Sequence, residues 1–308
     1  MRLYTHPDCL AHEVPNGHPE RPDRLRALTT LLRATPVAAE LDEQSAPLAS
    51  DELLAAAHDP QLVRLLESLA PETGLVAVDA DTAMGPHSLS AARHAAGAVV
   101  DAVAGVLHQR FSSAFCAVRP PGHHAEADAA MGFCLFNSVA VGAKFALQNG
   151  QQPLERVAIL DFDVHHGNGT VDIFKDTPEV LVCSSFQHPF YPFRYADLER
   201  PHIVNTPLPA GTGSAVFRQA IEADWVPALR DHQPQLILVS AGFDAHAADP
   251  LAQLQLQTDD YTWITQLIVA EAERAGVAGV VATLEGGYDL EALAASATAH
   301  ITALAALG

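Results

Sequence analysis

The chain has 308 residues, a formal net charge of −20, 49% hydrophobic residues and 18% charged residues. That is enough apolar material for a sizeable core and too much for a disordered chain. The acidic balance argues against nonspecific nucleic-acid binding, which needs basic patches, and is compatible with a cationic substrate. Cys9, Cys116, Cys134 and Cys183 form no C-x-x-C pair and suggest no disulfide framework, so a reducing cytoplasm is the expected compartment. The N-terminus lacks the apolar region of a signal sequence, and the longest apolar stretch, 91–107, carries Arg93, His94 and Asp101. No membrane span is expected. Composition fixes no oligomeric state and leaves a homo-oligomer open.

In chain order, the patterning predicts a helix over 22–34 with Pro22 at its first position, then a helix start at Ser50-Asp51-Glu52 with acidic residues in its first turn. A helix over 88–109 precedes a buried strand over 113–118. A helix over 137–148 and strands over 157–162 and 180–186 follow. The remainder alternates: helix 214–230, strand 235–240, helix 259–275, strand 279–284, helix 289–306. No linker, repeat or charge block divides the chain, so 1–308 reads as a single α/β domain. Its architecture is three-layered, with a central, mostly parallel sheet and helices on both faces.

In such sheets the ligand site lies beyond the carboxyl ends of the strands. Four unusual polar clusters stand at those ends: Arg119-Pro120-Pro121-Gly122-His123-His124, 161–168, Ser240-Ala241-Gly242-Phe243-Asp244 and Glu285-Gly286-Gly287-Tyr288. Four clusters on one rim converge on one site. The densest is Asp161-Phe162-Asp163-Val164-His165-His166-Gly167-Asn168-Gly169. On a continuing strand Asp161, Asp163 and His165 would share a face. Such groups at the end of a buried strand are costly unless paired, and a divalent cation is the simplest partner. Asp163 and His165 with Asp244 as third ligand give two carboxylates, one imidazole and an open position, a catalytic pattern suited to Zn2+ or Fe2+.

The His123-His124 pair offers metal ligands or an acid/base pair, with Asp161 an orienting partner for one ring and Asn168 for the other. A carboxylate partner raises imidazole basicity and an amide only orients it, so the two rings would titrate differently. Tyr288 follows two glycines that give it a mobile base, and its phenol could donate to a developing oxyanion. Phe133, after Gly132, and the Phe190-Tyr191 pair could wall an apolar slot.

These motifs, in this order from His18-Pro19-Glu20-Arg21-Pro22 to Tyr288, resemble the histone deacetylase family, which includes bacterial acetylpolyamine amidohydrolases and acetoin-utilisation proteins. The resemblance implies an arginase/deacetylase-like fold and zinc held by Asp163, His165 and Asp244. It implies His124 as general base and acid, His123 as its electrostatic partner backed by Asp161, and Tyr288 as oxyanion donor. Asn168 matches the class II pattern. Gly132 matches the residue whose carbonyl receives the substrate amide, and Phe133 and Tyr191 match the tunnel walls. The family also binds structural K+, here implying one site with Asp161, Asp163, His165, Ser184 and Ser185 and a second at the main chain of Phe174, Thr177 and Val180.

In polyamine-specific relatives an acidic residue stands seven positions after the third zinc ligand; here that position is Leu251. The expectation is therefore a zinc-dependent amidohydrolase that removes acetyl or other acyl groups from the ε-amine of lysine in peptides or proteins. An acetylpolyamine or another acetylated small amine is the alternative substrate. A ureohydrolase would need two Mn2+ and more bridging aspartates, and the intact His124, Tyr288 and ligand set speak against a silent acyl-lysine binding module.

Overall fold

The structure, a computed structural model, describes residues 1–148 and 153–307; residues 149–152 and 308 of the expected domain lie outside the described residues. Its strands are β1 (Arg2–Thr5), β2 (Asp42–Ser45), β3 (Val76–Ala77), β4 (Ala83–Met84), β5 (Ser113–Cys116), β6 (Val157–Asp161), β7 (Val180–Gln187), β8 (Ile203–Leu208), β9 (Leu236–Ala241) and β10 (Val280–Leu284). Eight of them form one sheet in the order β2-β1-β5-β10-β9-β6-β7-β8, with every neighbouring pair parallel. The β3–β4 hairpin, outside this sheet, is antiparallel.

The five strands predicted from apolar runs are β5, β6, β7, β9 and β10, every residue of which is buried. Helices cover both faces of a parallel sheet, so its inner strands read as unbroken Val, Ile and Leu rather than as alternation. The three strands not predicted lie toward the edges. β2 is Asp-Glu-Gln-Ser, exposed throughout, and β8 carries Pro207 in an edge strand, where a missing N–H costs nothing.

Helices Ser88–Leu107 and Ser138–Gln148 pack together on one face of the sheet. Asp23–Arg33, Ser214–His232, Thr258–Ala275 and Leu290–Leu304 form the other layer. The expected start at Ser50 is a real cap, its hydroxyl accepting from Leu53 N–H, and Asp289 caps the last helix in the same way. Helix Pro60–Leu69 was not predicted, although Asp59-Pro60 is a cap followed by proline at the first helical position. Leu160 and Leu238 are fully buried between the layers; truncating either to Ala would cost about 2–5 kcal/mol. Among the described residues, no helix is long and apolar enough to cross a membrane.

β6 ends at Asp161, β9 at Ala241 and β10 at Leu284. The polar clusters therefore leave the sheet side by side, at the carboxyl ends of adjacent strands.

Candidate active site

Ligand-type atoms of Asp163, His165 and Asp244 lie within 4.8 Å of one another. His165 Nδ1 faces both carboxylates, 3.0 Å from Asp163 Oδ1 and 3.2 Å from Asp244 Oδ2. Backbone amides hold the remaining oxygens: Gly286 N–H donates to Asp163 Oδ2 at 2.8 Å and Val164 N–H to Asp244 Oδ1 at 2.8 Å. Asp244 Oδ2 is buried and accepts no hydrogen bond. Burial and the Asp163 charge push the Asp244 carboxyl up. Burial alone would lower His165, but the neighbouring Asp163 and Asp244 carboxylates draw it up to about 10. The pair of carboxylates thus demands a positive charge at this point, and an orphaned buried oxygen plus an imidazole nitrogen fits a divalent cation.

Close approach of these groups requires glycine twice. A Cβ at Gly242 would collide with the Asp163 carboxylate, and one at Gly286 with the carboxylates of Asp244 and Asp163. The expected common face of Asp161, Asp163 and His165 is not formed, because β6 ends at Asp161 and the backbone turns. Asp161 instead lies behind His123, its Oδ2 2.9 Å from His123 Nδ1.

The two histidines sit in contrasting surroundings. His123 faces the Asp161 carboxylate, whereas His124 Nδ1 lies 2.6 Å from the amide oxygen of Asn168. Burial alone would lower His123, but Asp163 and Asp161 hold it well above the imidazole range. Burial, with the neighbouring His123 and His165, holds His124 well below it. Glu285 orders the loop that carries the pair, accepting from Gly122 N–H at 2.6 Å and His123 N–H at 3.1 Å through Oε2.

The base of Tyr288 is pinned rather than mobile, contrary to the expectation from Gly286-Gly287. Tyr288 N–H donates to Asp249 Oδ2 at 2.7 Å. Arg24 donates to the carbonyls of Gly287 at 2.6 Å and Glu285 at 2.5 Å, and its guanidinium lies over the Tyr288 ring at 5.0 Å. Arg24 is itself held by Glu20, which also pairs with Arg119 at 2.5 and 2.7 Å. Burial and the Asp244 charge keep the Tyr288 phenol well above its ordinary range, hence protonated.

A cavity of about 110 Å³ opens onto this cluster, lined by Asp81, His124, Gly132, Phe133, His165, Tyr191, Leu251 and Tyr288. All four expected substrate-side residues, Gly132, Phe133, Tyr191 and Leu251, are among them. Phe133 meets Tyr288 edge to face at 6.1 Å, and Tyr191 meets His124 at 5.2 Å. Asp81 was not singled out in the sequence. It stands in a turn with no pattern of its own, and only the fold brings its carboxylate to accept from Gly132 N–H at 3.1 Å. Arg24, Asp249 and Glu126 were missed because only the fold brings them to their partners.

Ser184, expected at the first potassium site, is the register partner of Asp161, and Ser185 follows it; both are buried. At the second, the Phe174 carbonyl accepts from Thr177 N–H at 2.9 Å and the Thr177 carbonyl from Val180 N–H at 3.0 Å, closing the turn before β7.

Comparison with known proteins gives a consistent picture. A family model for the histone deacetylase domain matches residues 18–304. The chain is 42% identical over 295 residues to an uncharacterized protein of Synechocystis, covering 94% of each chain. It is 39% identical over 279 residues to the histone deacetylase-like amidohydrolase of Pseudomonas aeruginosa, covering 88% of this chain and 73% of that one. The crystal structure of the HDA15 HD domain superposes with a TM-score of 0.92 at 33% identity, covering 100% of this chain and 89% of that one.

Proposed function

The chain belongs to the histone deacetylase family, and we propose that it is a zinc-dependent amidohydrolase that removes acetyl or other short acyl groups from the ε-amine of lysine. The observation that carries this reading is that His124, His165 and Tyr288 line one small cavity, with Asp163 and Asp244 clustered on His165 and His123 against His124. Asp163, His165 and Asp244 would hold the Zn2+, which when bound would polarise the acyl carbonyl and acidify the attacking water. The same ligand set also accommodates Fe2+.

The remaining chemistry belongs to the chain's own side chains. His124, kept neutral, accepts the proton from the attacking water and later delivers it to the departing amine. His123, kept cationic by Asp161 and Asp163, stabilises the negative charge that develops beside it. Tyr288, kept protonated, donates to the oxyanion. Phe133 and Tyr191 enclose the aliphatic stem and exclude water, and the Gly132 carbonyl accepts the substrate amide N–H. Structural K+ at the Asp161–Ser184 and Phe174–Val180 clusters belongs to the same proposal.

Leu251 on the cavity lining offers no partner to a distant ammonium, which favours an acylated lysine in a peptide or protein over an acetylated polyamine. The test is acetate release from an acetyllysine peptide by the zinc-reconstituted protein, with N-acetylputrescine in parallel and a hydroxamate as inhibitor. Hydroxamate-sensitive turnover of the peptide at the higher kcat/KM is expected. Turnover of the polyamine alone would overturn the substrate; turnover of neither would overturn the enzyme reading.

A further inference from the structure

The polar contacts that begin at His124 run past Asn168 to two residues that the proposed reaction leaves unused. Asn168 Nδ2 donates to Glu126 Oε1 at 2.7 Å, and Arg194 Nη1 donates to Glu126 Oε2 at 2.6 Å. Glu126 is buried. Arg194 is half exposed and reaches in from the loop that also carries Phe190 and Tyr191, the latter edge-on to His124.

The chemistry of the three groups determines their orientation. An asparagine amide can turn either its oxygen or its NH2 toward a neighbour, and the two arrangements have the same shape. A carboxylate only accepts. Facing Asn168, Glu126 takes the NH2 and turns Oδ1 toward His124 Nδ1, 2.6 Å away. That nitrogen must then carry the proton, and in a neutral ring Nε2 is left with the free lone pair. The other partners of the Asn168 NH2 are longer contacts, the His124 carbonyl at 3.3 Å and Met131 Sδ at 3.5 Å.

We infer that Glu126 is a positioning residue which, through Asn168, fixes the tautomer of His124 that can accept a proton at Nε2, and that Arg194 anchors Glu126 from the entrance loop. The catalytic consequence rests on the deacylase reading; the tautomer does not. The arrangement has a distinctive corollary. An aspartate at 168 could only accept from His124 and would enforce the same tautomer unaided, but beside an intact Glu126 it would face a second carboxylate. Each single change should therefore be harmful and the pair compensating.

The experiment compares Glu126→Ala, Asn168→Asp and the double variant on the acetyllysine peptide, with metal content and thermal unfolding as controls and ¹⁵N NMR of the His124 ring as a readout independent of turnover. Glu126→Ala is expected to lower kcat about 10- to 100-fold, the usual range for losing a group that orients a working side chain through its neighbour, with KM unchanged and the two His124 tautomers mixed. The double variant recovers most of that loss. Should Glu126→Ala fold poorly, the isosteric Glu126→Gln shows a smaller loss in the same direction, and Arg194→Met does likewise. A double variant no better than Glu126→Ala, or a His124 Nδ1 still fully protonated without Glu126, overturns the inference. Failure of the unmodified protein to hydrolyse the peptide would sink the deacylase reading instead, and the NMR comparison would still decide the tautomer.

Discussion

The backbone N–H of Tyr288 donates to the carboxylate of Asp249 at 2.7 Å. The other oxygen of that carboxylate accepts from Leu251 N–H at 3.0 Å, so one buried side chain holds the backbone of both Tyr288 and Leu251, the residue proposed to select the substrate. Tyr288→Phe is expected to lower kcat about 100- to 1,000-fold, the range for losing one oxyanion donor. Asp249→Ala should approach that loss and cost about 1–3 kcal/mol of stability by leaving its amides unpaired. In a Tyr288→Phe background it should add little to the kinetic defect. Fully multiplicative effects in the double variant would show that Asp249 does not act through the phenol.

Metal affinity should depend on pH in a defined direction. Without a cation, the Asp163 and Asp244 carboxylates outweigh burial and hold His165 up to about 10, so the ring is protonated throughout the neutral range. Zinc must displace that proton. Apparent affinity should therefore rise about tenfold per pH unit between pH 6 and 8. Competition titration with a chromophoric chelator measures it, and a flat profile would remove His165 from the ligand set.

Gly286→Ala places a methyl against the carboxylates of Asp244 and Asp163. Both carboxylates are buried and tied to backbone amides, which leaves little room to yield. The overpacking should cost about 1–3 kcal/mol, and zinc affinity should drop about 10- to 100-fold because the ligand carboxylates are displaced. Calorimetry with and without metal separates the two effects; unchanged zinc affinity would be incompatible with the ligand assignment.

Leu251 lines the cavity alongside Asp81 and Tyr288. Leu251→Glu adds an acid where a polyamine's distal ammonium would lie. A half-exposed ion pair contributes about 1 kcal/mol at most, so kcat/KM for N-acetylputrescine relative to the acetyllysine peptide should rise about fivefold. An unchanged ratio would mean that specificity is set elsewhere on the rim.

Much of the site was legible because its chemistry is written locally. Asp161 to Asn168 concentrates ligand types within one short segment, and each of the other clusters follows an apolar strand that had to be buried. The chain could therefore be read for its α/β class, its five inner strands, its six long helices, the Asp163-His165-Asp244 cluster and most of the cavity lining. What escaped lacked local signal. β2 is polar throughout and owes its place to pairing with β1. Arg24 reaches across 263 residues to the Gly287 carbonyl, and no periodicity encodes a contact of that separation.

By itself the sequence determined which side chains could do chemistry and on which rim they would stand, because hydrophobic runs set the strands and the parallel sheet sets their ends. Only the tertiary structure decided how those side chains divide the work. It ended β6 at Asp161, so that carboxylate backs His123 instead of joining Asp163 and His165. It set Asn168 against Glu126 and pinned Tyr288 between Asp249 and Arg24. The physical reason is the same each time. Orientation, tautomer and proton affinity depend on which buried group lies within about 3 Å, and that neighbour is supplied by a distant part of the chain.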